Sequence, residues 1–519
     1  MKLVTADQMR ALEQAAVAAG SSEAQLMEEA GLAVAQEAWM LLGSLEGRRI
    51  VVLAGPGKNG GDGMVAARHL AQWGAEVVAY VPRDRRDTER DEEAATVGVT
   101  VMQGDEDPGA VMLEDALRSA DLVVDALLGI GQKRPIDPGE PIAVALGALA
   151  RRRESFSPPK VVAVDLPTGV DADSGSVDPL TVPPDLTVTF GLPKIGMYQA
   201  PASGVVGKVQ VIDIGIPKEA QEKVGLELMT SRWLKSALPE RPEDANKGTF
   251  GKVLVVGGSR RHVGAPRLAA TGAYRAGAGL VTVACPEGLV GTLAAALAEA
   301  TWLPMAAADD GGLAGEAAIA LRGEWSRFAA AVIGPGLGDS EEVRAFLWAA
   351  LPDLADLERG AVLDADALNA LALMPDGRER VGANVVLTPH PGEMARLLGT
   401  TVAEVQSRRM PAALECAQAF GCTVVLKGAH SVIAAADGRV RLSPFANPLL
   451  ATAGTGDVLA GMIGAYLAQG LDPFDAASAA VYAHGAVAEA MRAEYGSAGL
   501  LAGEIADQLP RVIRSLVEA

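Results

Sequence analysis

The chain has 519 residues, of which 49% are hydrophobic and 21% charged, and its formal net charge is −20. This length predicts two domains, since single cores stop growing at roughly 250 to 300 residues. The acidic balance argues against a nucleic acid or an anionic membrane as partner, because either would need a basic face. Cys285, Cys416 and Cys422 have no C-x-x-C spacing, which argues against disulfide bonds and zinc and favours a reduced, cytoplasmic location.

The amino-terminal segment predicts an amphipathic helix that begins near Thr5 or Asp7, with Glu13 interrupting its apolar positions. It lacks the continuous apolar region of a signal peptide. Elsewhere, Gly, Glu or Arg interrupts each apolar stretch before the ~20 residues that a membrane span needs. A membrane partner is therefore not expected.

Six short runs of β-branched and aliphatic residues follow, beginning at positions 50, 76, 122, 160, 185 and 208. They are continuous rather than alternating, and helix-like segments separate the early ones, which is typical of a parallel sheet covered on both faces. The first half is therefore predicted to be a Rossmann-like, three-layer α/β/α domain. A polar, proline-containing segment from 216 to 250 interrupts the pattern, which then resumes. We predict domains at 1–220 and 246–519, joined by a linker at 221–245.

The first strand run leads into a glycine-rich turn, G-P-G-K-N-G-G-D-G, from Gly55 to Gly63. Its first glycines match the G-x-G-x-x-G spacing of dinucleotide-binding turns, and Arg83 or Asp84 follows the next strand where a dehydrogenase would contact the ribose. A nicotinamide dehydrogenase therefore remains an alternative at this point. Asp62 also has a simple structural interpretation as the N-cap of the helix that follows.

Polar side chains follow three of the strand runs, where parallel strands bring ligands together. Asn59, Asp125 and Thr168 offer only oxygen ligands, which suit a hard cation rather than a soft metal. Asp165 follows a neighbouring strand and is our candidate general acid or base. Lys194 is a second acid/base candidate, although a surface lysine after a strand is its ordinary interpretation.

Four motifs of the first half resemble the epimerase domain of the NAD(P)H-hydrate repair proteins: G-x-G-x-N-G-G-D-G, V-D-A-L-L-G-I-G, V-D-L-P-T-G-V-D-A-D-S-G and F-G-L-P-K-I-G-M-Y. The resemblance implies interconversion of the R and S epimers of hydrated NADH or NADPH, with a potassium ion bound by Asn59, Asp125 and Thr168. It implies Asp165 as a substrate contact, together with Lys58, Asn59, Gly60, Gly61, Asp62, Gly129, Ile130, Gly131, Gln132, Lys133, Arg134 and Pro135. Lys58 and Thr168 depart from the family, which often has Asn and Ser there.

The last motif of the second half is A-T-A-G-T-G-D-V-L, in which Gly454 and Gly456 precede an apolar helix. Backbone N–H groups and the helix dipole at such an amino terminus bind phosphate or a developing oxyanion. Asp457 lies in the first turn, where it would repel an anion unless it acted on a hydroxyl or a water. We therefore favour a catalytic role for Asp457 over an N-cap. Lys427 and the residues after it suit phosphate, and His390 and Glu393 are candidate contacts for substrate and magnesium.

These motifs resemble the ribokinase-like superfamily, and G-P-G-L-G, T-P-H-P-G-E, K-G-A-x-S-V-I and A-G-T-G-D-V-L together resemble its ADP-dependent NAD(P)H-hydrate dehydratases. The resemblance implies dehydration of the S hydrate with ADP, or ATP, as co-substrate and magnesium as cofactor, ADP being converted to AMP and phosphate. It implies two sets of contacts. Those to the hydrate are Ala265, Gly336, Gly338, His390 and Asp457; those to the nucleotide are Lys427, Gly428, Ala429, His430, Ser431 and Gly456.

The order of the two halves favours a repair enzyme over two alternatives. One alternative is a ribokinase-like small-molecule kinase fused to a ligand-binding regulator, and the other treats residues 1–220 as a non-catalytic interaction module. An epimerase followed by a dehydratase makes chemical sense, because hydration produces both epimers and dehydration accepts one. Alanine-rich amphipathic helices are also compatible with a homo-oligomer.

Overall fold

A computed structural model describes residues 1–83, 89–132 and 134–518 of the chain. The chain divides into two compact units, Met1–Gly225 and Leu226–Ala519, each with its own sheet and its own apolar cores. Along the described ranges, no helix combines the length and the apolar character that a membrane span requires.

The first unit is built on a parallel sheet with the order β3-β2-β1-β4-β5-β6-β7 among its described strands. The strand order reverses between β1 and β4, which opens a crevice at their carboxyl ends. The strands are β1 Arg49–Ala54, β2 Glu76–Val81, β3 Thr100–Gln103, β4 Leu122–Ala126, β5 Lys160–Val164, β6 Leu186–Phe190 and β7 Lys208–Ile212.

Helices cover both faces of this sheet, which gives the three layers predicted from the sequence. Apolar residues of α1 to α4 pack in a core on one face, and those of α5 and α6 pack on the other. The helices are α1 Ala6–Ala18, α2 Glu23–Leu42, α3 Lys58–Gln72, α4 Glu89–Thr96, α5 Val111–Ser119, α6 Pro141–Arg153 and α7 Lys218–Gln221.

The second unit contains a longer sheet with the described order β11-β10-β9-β12-β13-β14-β15-β16-β17-β8. The strands from β11 to β15 are parallel, whereas β16 is antiparallel to both β15 and β17. The strands are β8 Leu226–Leu228, β9 Lys252–Val256, β10 Leu280–Pro286, β11 Thr301–Met305, β12 Ala330–Ile333, β13 Gly360–Leu363, β14 Val385–Leu387, β15 Thr423–Leu426, β16 Val432–Ala435 and β17 Val440–Leu442.

The helices of the second unit include a buried one, α18, which packs closely against α9. A Cβ atom added to Gly461 of α18 would lie 1.9 Å from the carbonyl oxygen of Ala269 in α9, so only glycine permits this approach. The helices are α8 Ser231–Ala237, α9 Gly264–Arg275, α10 Val290–Ala296, α11 Ala317–Leu321, α12 Glu341–Ala350, α13 Asp366–Ala372, α14 Gly377–Arg380, α15 Pro391–Leu398, α16 Val402–Ser407, α17 Arg409–Phe420, α18 Thr455–Ala468, α19 Pro473–Tyr495 and α20 Ala502–Glu518.

The sequence analysis missed three strands, β3, β8 and β11, and all three lie at sheet edges. An edge strand packs against one neighbour only and keeps more polar or exposed positions, so its apolar run is weak. The exposed or half-buried positions of Thr100–Gln103 and Thr301–Met305 show this directly.

The boundary between the units falls inside the predicted linker at 221–245, but that segment is not all connecting chain. β8 pairs with β17, and α8 packs against α19 and α20 through the buried Leu234. Its polar composition hid these elements, because each presents only a few apolar residues to the core.

Candidate active sites

A cavity of about 630 Å³ opens where the strand order of the first sheet reverses. Its walls come from α1, α2, the start of α3, the loop after β4 and the residue after β5. The structure brings the following predicted residues together on these walls: Lys58, Asn59, Asp62, Gly129, Ile130, Gly131, Gln132 and Asp165.

Four other predicted contacts are not among the lining residues. Gly60 and Gly61 are buried in α3, and a Cβ on Gly61 would lie 2.7 Å from the sulfur of Met27. Arg134 pairs with Glu140, and Pro135 lies exposed beside it. Lys133 and Asp84 lie outside the described residues.

The glycine-rich turn joins β1 to α3 and forms the floor of this cavity. A Cβ on Gly55 would lie 1.7 Å from the carbonyl oxygen of Leu127, so the two loops can meet only with glycine there. Gly57, not Asp62, is the N-cap of α3, which begins at Lys58. The N-cap interpretation of Asp62 is therefore wrong, because the N-cap is Gly57, five residues earlier in the chain. Burial raises the pKa of Asp62 well above its ordinary value, and the nearby Asp165 and Glu13 add to the shift.

Asp125 and Thr168 form a buried hydrogen-bonded pair at the ends of β4 and β5. The Thr168 backbone N–H donates to one carboxylate oxygen at 2.9 Å, and its hydroxyl donates to the other at 2.7 Å. Burial raises the pKa of Asp125, although these hydrogen bonds oppose the shift. Asp125 has no Lys or Arg partner within the described ranges, and the buried Nδ2 of Asn59 has no hydrogen-bond partner there either.

Asp165 and Lys194 form a second pair in the first unit. Asp165 has a φ of +64°, a strained conformation for a residue other than glycine, and its Oδ1 accepts hydrogen bonds from Lys194 Nζ and Thr189 Oγ1. Lys194 is only 1% exposed, and its Nζ also donates to Thr189 Oγ1 at 2.9 Å. The interpretation of Lys194 as a surface lysine is therefore wrong, because its ammonium group is buried against the Asp165 carboxylate.

The second candidate site lies at the amino terminus of α18. Gly454 is the N-cap with a φ of +90°, and no side chain caps the helix. The backbone N–H groups of Gly456 and Asp457 have no acceptor within the described chain and can bind an anion. Asp457 is the third residue of the helix, as predicted, and burial raises its pKa to about 7, Asp364 adding to the shift and Lys427 opposing it.

Lys427 lies at the centre of the charged groups of this site. Its Nζ donates to Asp364 Oδ1 at 2.7 Å and lies 3.9 Å from Glu393 Oε2, and a Cβ on Gly456 would lie 3.4 Å from it. Burial acts to lower the pKa of Lys427, but Asp364 and Glu393 outweigh it and the pKa is raised. The ammonium group is therefore charged and held beside the anion-binding helix terminus.

His390 and Glu393 open α15 as a capping box. His390 Nδ1 accepts from the backbone N–H groups of Gly392 and Glu393, and Glu393 Oε2 accepts from that of His390 at 2.7 Å. Burial lowers the pKa of His390 and raises that of Glu393 to about 7. Within the described residues, no group of three or more His, Cys, Asp or Glu side chains is arranged to hold a metal ion.

The remaining predicted residues of the second unit are brought together only in part. Ala265 and Gly336 are neighbours, since a Cβ on Gly336 would lie 3.0 Å from that of Ala265, and Gly338 donates its N–H to Asp366 at 2.8 Å. Gly428 and Ala429 keep unused backbone N–H groups within the part of the chain that the structure describes.

His430 and Ser431 lie further along the same turn, where β16 begins. The backbone N–H of His430 donates to Phe445, and its ring faces the carbonyl of Ser443. The hydroxyl of Ser431 donates to the Gly428 carbonyl. The backbone N–H of His430 is thus used within the hairpin that begins there, and the nucleotide contacts implied for Lys427 to Ser431 stay a prediction.

Sequence reasoning gave no role to Asp364, Asp366 or His484. Asp364 and Asp366 follow β13 in the segment L-D-A-D-A-L-N, and the rule that polar groups collect after parallel strands could have identified them. His484 lies buried in α19, is hydrogen-bonded to the backbone of Thr455, and has its pKa lowered to about 4 by burial. No signal in the sequence connects His484 with the start of α18.

Comparisons with known proteins match both units. The family model described as NAD(P)H-hydrate dehydratase matches residues 253–511, and the one described as the YjeF-related protein N-terminus matches residues 23–196. The bifunctional NAD(P)H-hydrate repair enzyme Nnr of Moorella thermoacetica is 40% identical over 100% of this chain and 98% of that protein. The proteins of the same name from Thermofilum pendens and Escherichia coli are 37% and 34% identical, over 100% and 90% of this chain and 97% and 85% of theirs.

A solved structure is also similar to part of the chain. It is the ADP/ATP-dependent NAD(P)H-hydrate dehydratase from Bacillus subtilis, co-crystallized with ATP/Mg²⁺. The identity is 36%, the match covers 56% of this chain and 98% of that one, and the TM-score is 0.48.

Proposed function

The chain belongs to the family of bifunctional NAD(P)H-hydrate repair enzymes, and we propose that each of its two units performs one step of that repair. The first unit interconverts the R and S epimers of hydrated NADH or NADPH. The second dehydrates the S epimer, with ADP converted to AMP and phosphate. The observation that carries the proposal is that each unit has its own sheet and its own buried Asp–Lys pair at a strand end.

In the first unit, the cavity binds the hydrated dinucleotide against Lys58, Asn59 and the loop from Gly129 to Gln132. Glycines that allow the two loops to meet also let the ligand approach the backbone closely. Asp165 projects into the same cavity with its carboxylate held by Lys194. This pair is positioned to move a proton to and from the hydrate, because the Lys194 ammonium donates a hydrogen bond to the Asp165 carboxylate at the cavity.

Potassium would be held by Asn59, Asp125 and Thr168. Supporting this, Asp125 is a carboxylate only 1% exposed that lacks a cationic side-chain partner among the described residues, and buried charges are normally paired or bound to ions. The ligands are all oxygens, as a hard cation requires. When bound, the ion supplies a positive charge beneath the cavity.

In the second unit, the start of α18 and Lys427 would bind the phosphates of the nucleotide, assisted by the N–H groups of Gly428 and Ala429. Magnesium would be held mainly by those phosphates and by water, with Glu393 as the protein group, since Mg²⁺ sites commonly use one or two carboxylates. Asp457 would take the proton of the hydrate hydroxyl as that oxygen receives the terminal phosphoryl group of ADP and AMP leaves. Phosphate then leaves with the electron pair of the C–O bond, while the adjacent carbon loses a proton and the C=C bond forms. His390, Ala265 and Gly336 would contact the hydrate.

The cytoplasmic location and the homo-oligomer stay predictions. Three buried, free cysteines support the former.

The test is to incubate the full chain with mixed epimers of hydrated NADH plus ADP or ATP and to follow the absorbance of regenerated NADH. We expect complete recovery. Fast return of only one half would exclude epimerisation, and no return with either nucleotide would exclude dehydration.

Two variants separate the units. Asp457→Ala is expected to abolish return of NADH, whereas Asp165→Ala leaves the S half recoverable and strands the R half. Loss of both halves in Asp165→Ala would contradict this division between the units.

A further inference from the structure

Helix α1 forms one wall of the first cavity and has two distinct faces. Its core face packs into the first unit and consists of Ala6, Met9, Leu12 and Ala16. Its cavity face, at the spacing i, i+3, i+4 and i+7, consists of Arg10, Glu13, Gln14 and Val17. Glu13, which interrupts the apolar pattern in the sequence, therefore faces the site.

Several contacts hold α1 rigidly against the rest of the site. Thr5 caps the helix, and the Ala6 N–H donates to Asp173 at 2.6 Å. Val4, just before the helix, forms a bridge to the segment of Lys194, with its N–H donating to Pro193 at 3.1 Å. Arg10 donates to the carbonyl of Ile130, in the loop after β4, at 3.0 Å. The helix is thus tied to the segment of Lys194 and to one other wall of the cavity, the loop after β4.

Glu13 is a half-buried carboxyl with no hydrogen bond or ion pair within the described residues, so its oxygens are available to a ligand in the cavity. Burial raises its pKa, and Asp165 adds to the shift while Lys194 and Lys58 oppose it. The charged and titratable groups that face it are Arg10, Glu23, Lys58, Asp62, Asp165 and Lys194.

We propose that Glu13 is a second catalytic residue of the epimerase site, donating the proton that Asp165 later recovers. The inference rests on the proposed epimerase function. The two carboxyls lie in opposite environments, one half-buried without a partner and one paired with an ammonium. Such pairs commonly divide the roles of acid and base.

The step conserves atoms and electrons. Glu13 gives its proton to the hydroxyl oxygen as the C–O bond breaks, water leaves with the bonding pair, and the lone pair of the adjacent ring nitrogen forms a C=N bond. Water then adds to the opposite face of the carbon, the nitrogen recovers its lone pair, and Asp165 takes the released proton. Exchange with solvent resets both carboxyls, so no other reactant is consumed.

The experiment measures epimerisation in the full chain without nucleotide, by chromatographic separation of the two hydrate epimers over time. Glu13→Gln keeps the shape of the side chain but cannot transfer the proton, so we expect kcat to fall at least about 100-fold, the scale of general acid catalysis, with KM changed less than about threefold. The alkaline limb of the pH–rate profile should disappear as well. Glu13→Asp should retain part of the rate.

Glu29→Gln in α2 is the matched control, since it makes the same change at an exposed glutamate that is not among the residues lining the cavity, and it should keep the full rate. The unfolding temperature of the first unit reports whether Glu13→Gln is folded, and dehydration of purified S hydrate with ADP reports whether the second unit is intact. A Glu13→Gln rate within threefold of the parent, or a reduced rate with the alkaline limb intact, would overturn the proposal. Absence of epimerisation in the parent chain would instead refute the proposed function.

Discussion

At the residue scale, the second site depends on how Asp457 shares its surroundings with two other charges. Burial and the Asp364 carboxylate both raise the pKa of Asp457, and the Lys427 ammonium opposes them, so that the carboxyl titrates at about 7. A base with this pKa is half ionised near neutral pH, where general bases are most effective. The Lys427–Asp364 ion pair therefore has two effects. It positions the Lys427 ammonium to bind phosphate, and its two charges shift the pKa of Asp457 in opposite directions.

This arrangement predicts the pH dependence of dehydration. Because Asp457 must be ionised to accept a proton, kcat/KM should rise about tenfold per pH unit below pH 7 and level off above it. Asp364→Asn removes a charge that raises the pKa of Asp457, so the midpoint should move to lower pH. The measurement is kcat/KM for S hydrate and ADP between pH 5 and 9, and a midpoint that moves upward in Asp364→Asn would contradict the assignment.

The Asp125 carboxylate is hydrogen-bonded but has no cationic side-chain partner among the described residues, which predicts a stability effect of potassium that does not depend on catalysis. An ion that binds only the folded state stabilises it by mass action, about 2.7 kcal/mol at 100 times its Kd. We expect KCl to raise the unfolding temperature of the first unit relative to equimolar choline chloride. Asp125→Asn should abolish this difference, whereas Asp121→Asn, at the opposite end of β4, should retain it. An equal response in all three proteins would exclude the site.

At the element scale, the position of α18 is decided by close packing against α9. Gly461 approaches the Ala269 carbonyl, and Gly272 of α9 approaches the Val458 carbonyl, so the two backbones touch. This contact places the amino terminus of α18 beside Lys427. Glycine therefore has two separate roles here. Gly456 offers a backbone N–H to the anion, whereas Gly461 and Gly272 allow the two helices to pack closely.

Gly461→Ala tests this packing. The added methyl group would overlap the Ala269 carbonyl, and overpacking of this kind typically costs about 1 to 3 kcal/mol. We expect a lower free energy of unfolding in urea and reduced dehydration, with epimerisation unchanged. Gly503→Ala in α20 is the matched control, because a Cβ there meets no atom within 4 Å and alanine favours helix. Equal stability of the two variants would contradict the packing argument.

At the scale of the whole molecule, the chain consists of two units that each complete their own sheet. The second unit includes β8 and α8, whose sequence looks like a linker but whose residues pair with β17 and bury Leu234. The place where the chain can be cut is therefore at 225/226 rather than at the end of the predicted linker.

Truncation tests this boundary. A fragment of residues 226–519 should unfold cooperatively and keep dehydration of the S hydrate. A fragment of residues 246–519 loses the edge strand β8 and the buried Leu234, and burying a leucine contributes about 1.5 to 3 kcal/mol. We expect it to unfold at a lower urea concentration or to aggregate through the exposed β17 edge. Equal urea midpoints would show that residues 226–245 contribute nothing to the fold.

The sequence by itself determined the fold class and the family, and it predicted which polar residues at strand ends carry the chemistry. Continuous apolar runs indicated two α/β units, and the structure and the full-length relatives confirm both the class and the resemblance. Asp125, Asp165 and Asp457 could be proposed as site residues from the sequence, because each lies at the end of a buried strand or at a glycine-rich helix start, and both features are local. Such signals lie within a few residues of one another in the chain.

Only the tertiary structure decided which distant residues face each other. In the tertiary structure, Lys194 is buried and donates to Asp165, and Lys427 donates to Asp364. Glu13 of α1 lines the first cavity. The tertiary structure also added the edge strands, whose apolar runs are too weak to recognise. The physical reason is the same throughout: burial and charge pairing depend on contacts between elements far apart in sequence, and a local pattern carries no information about them.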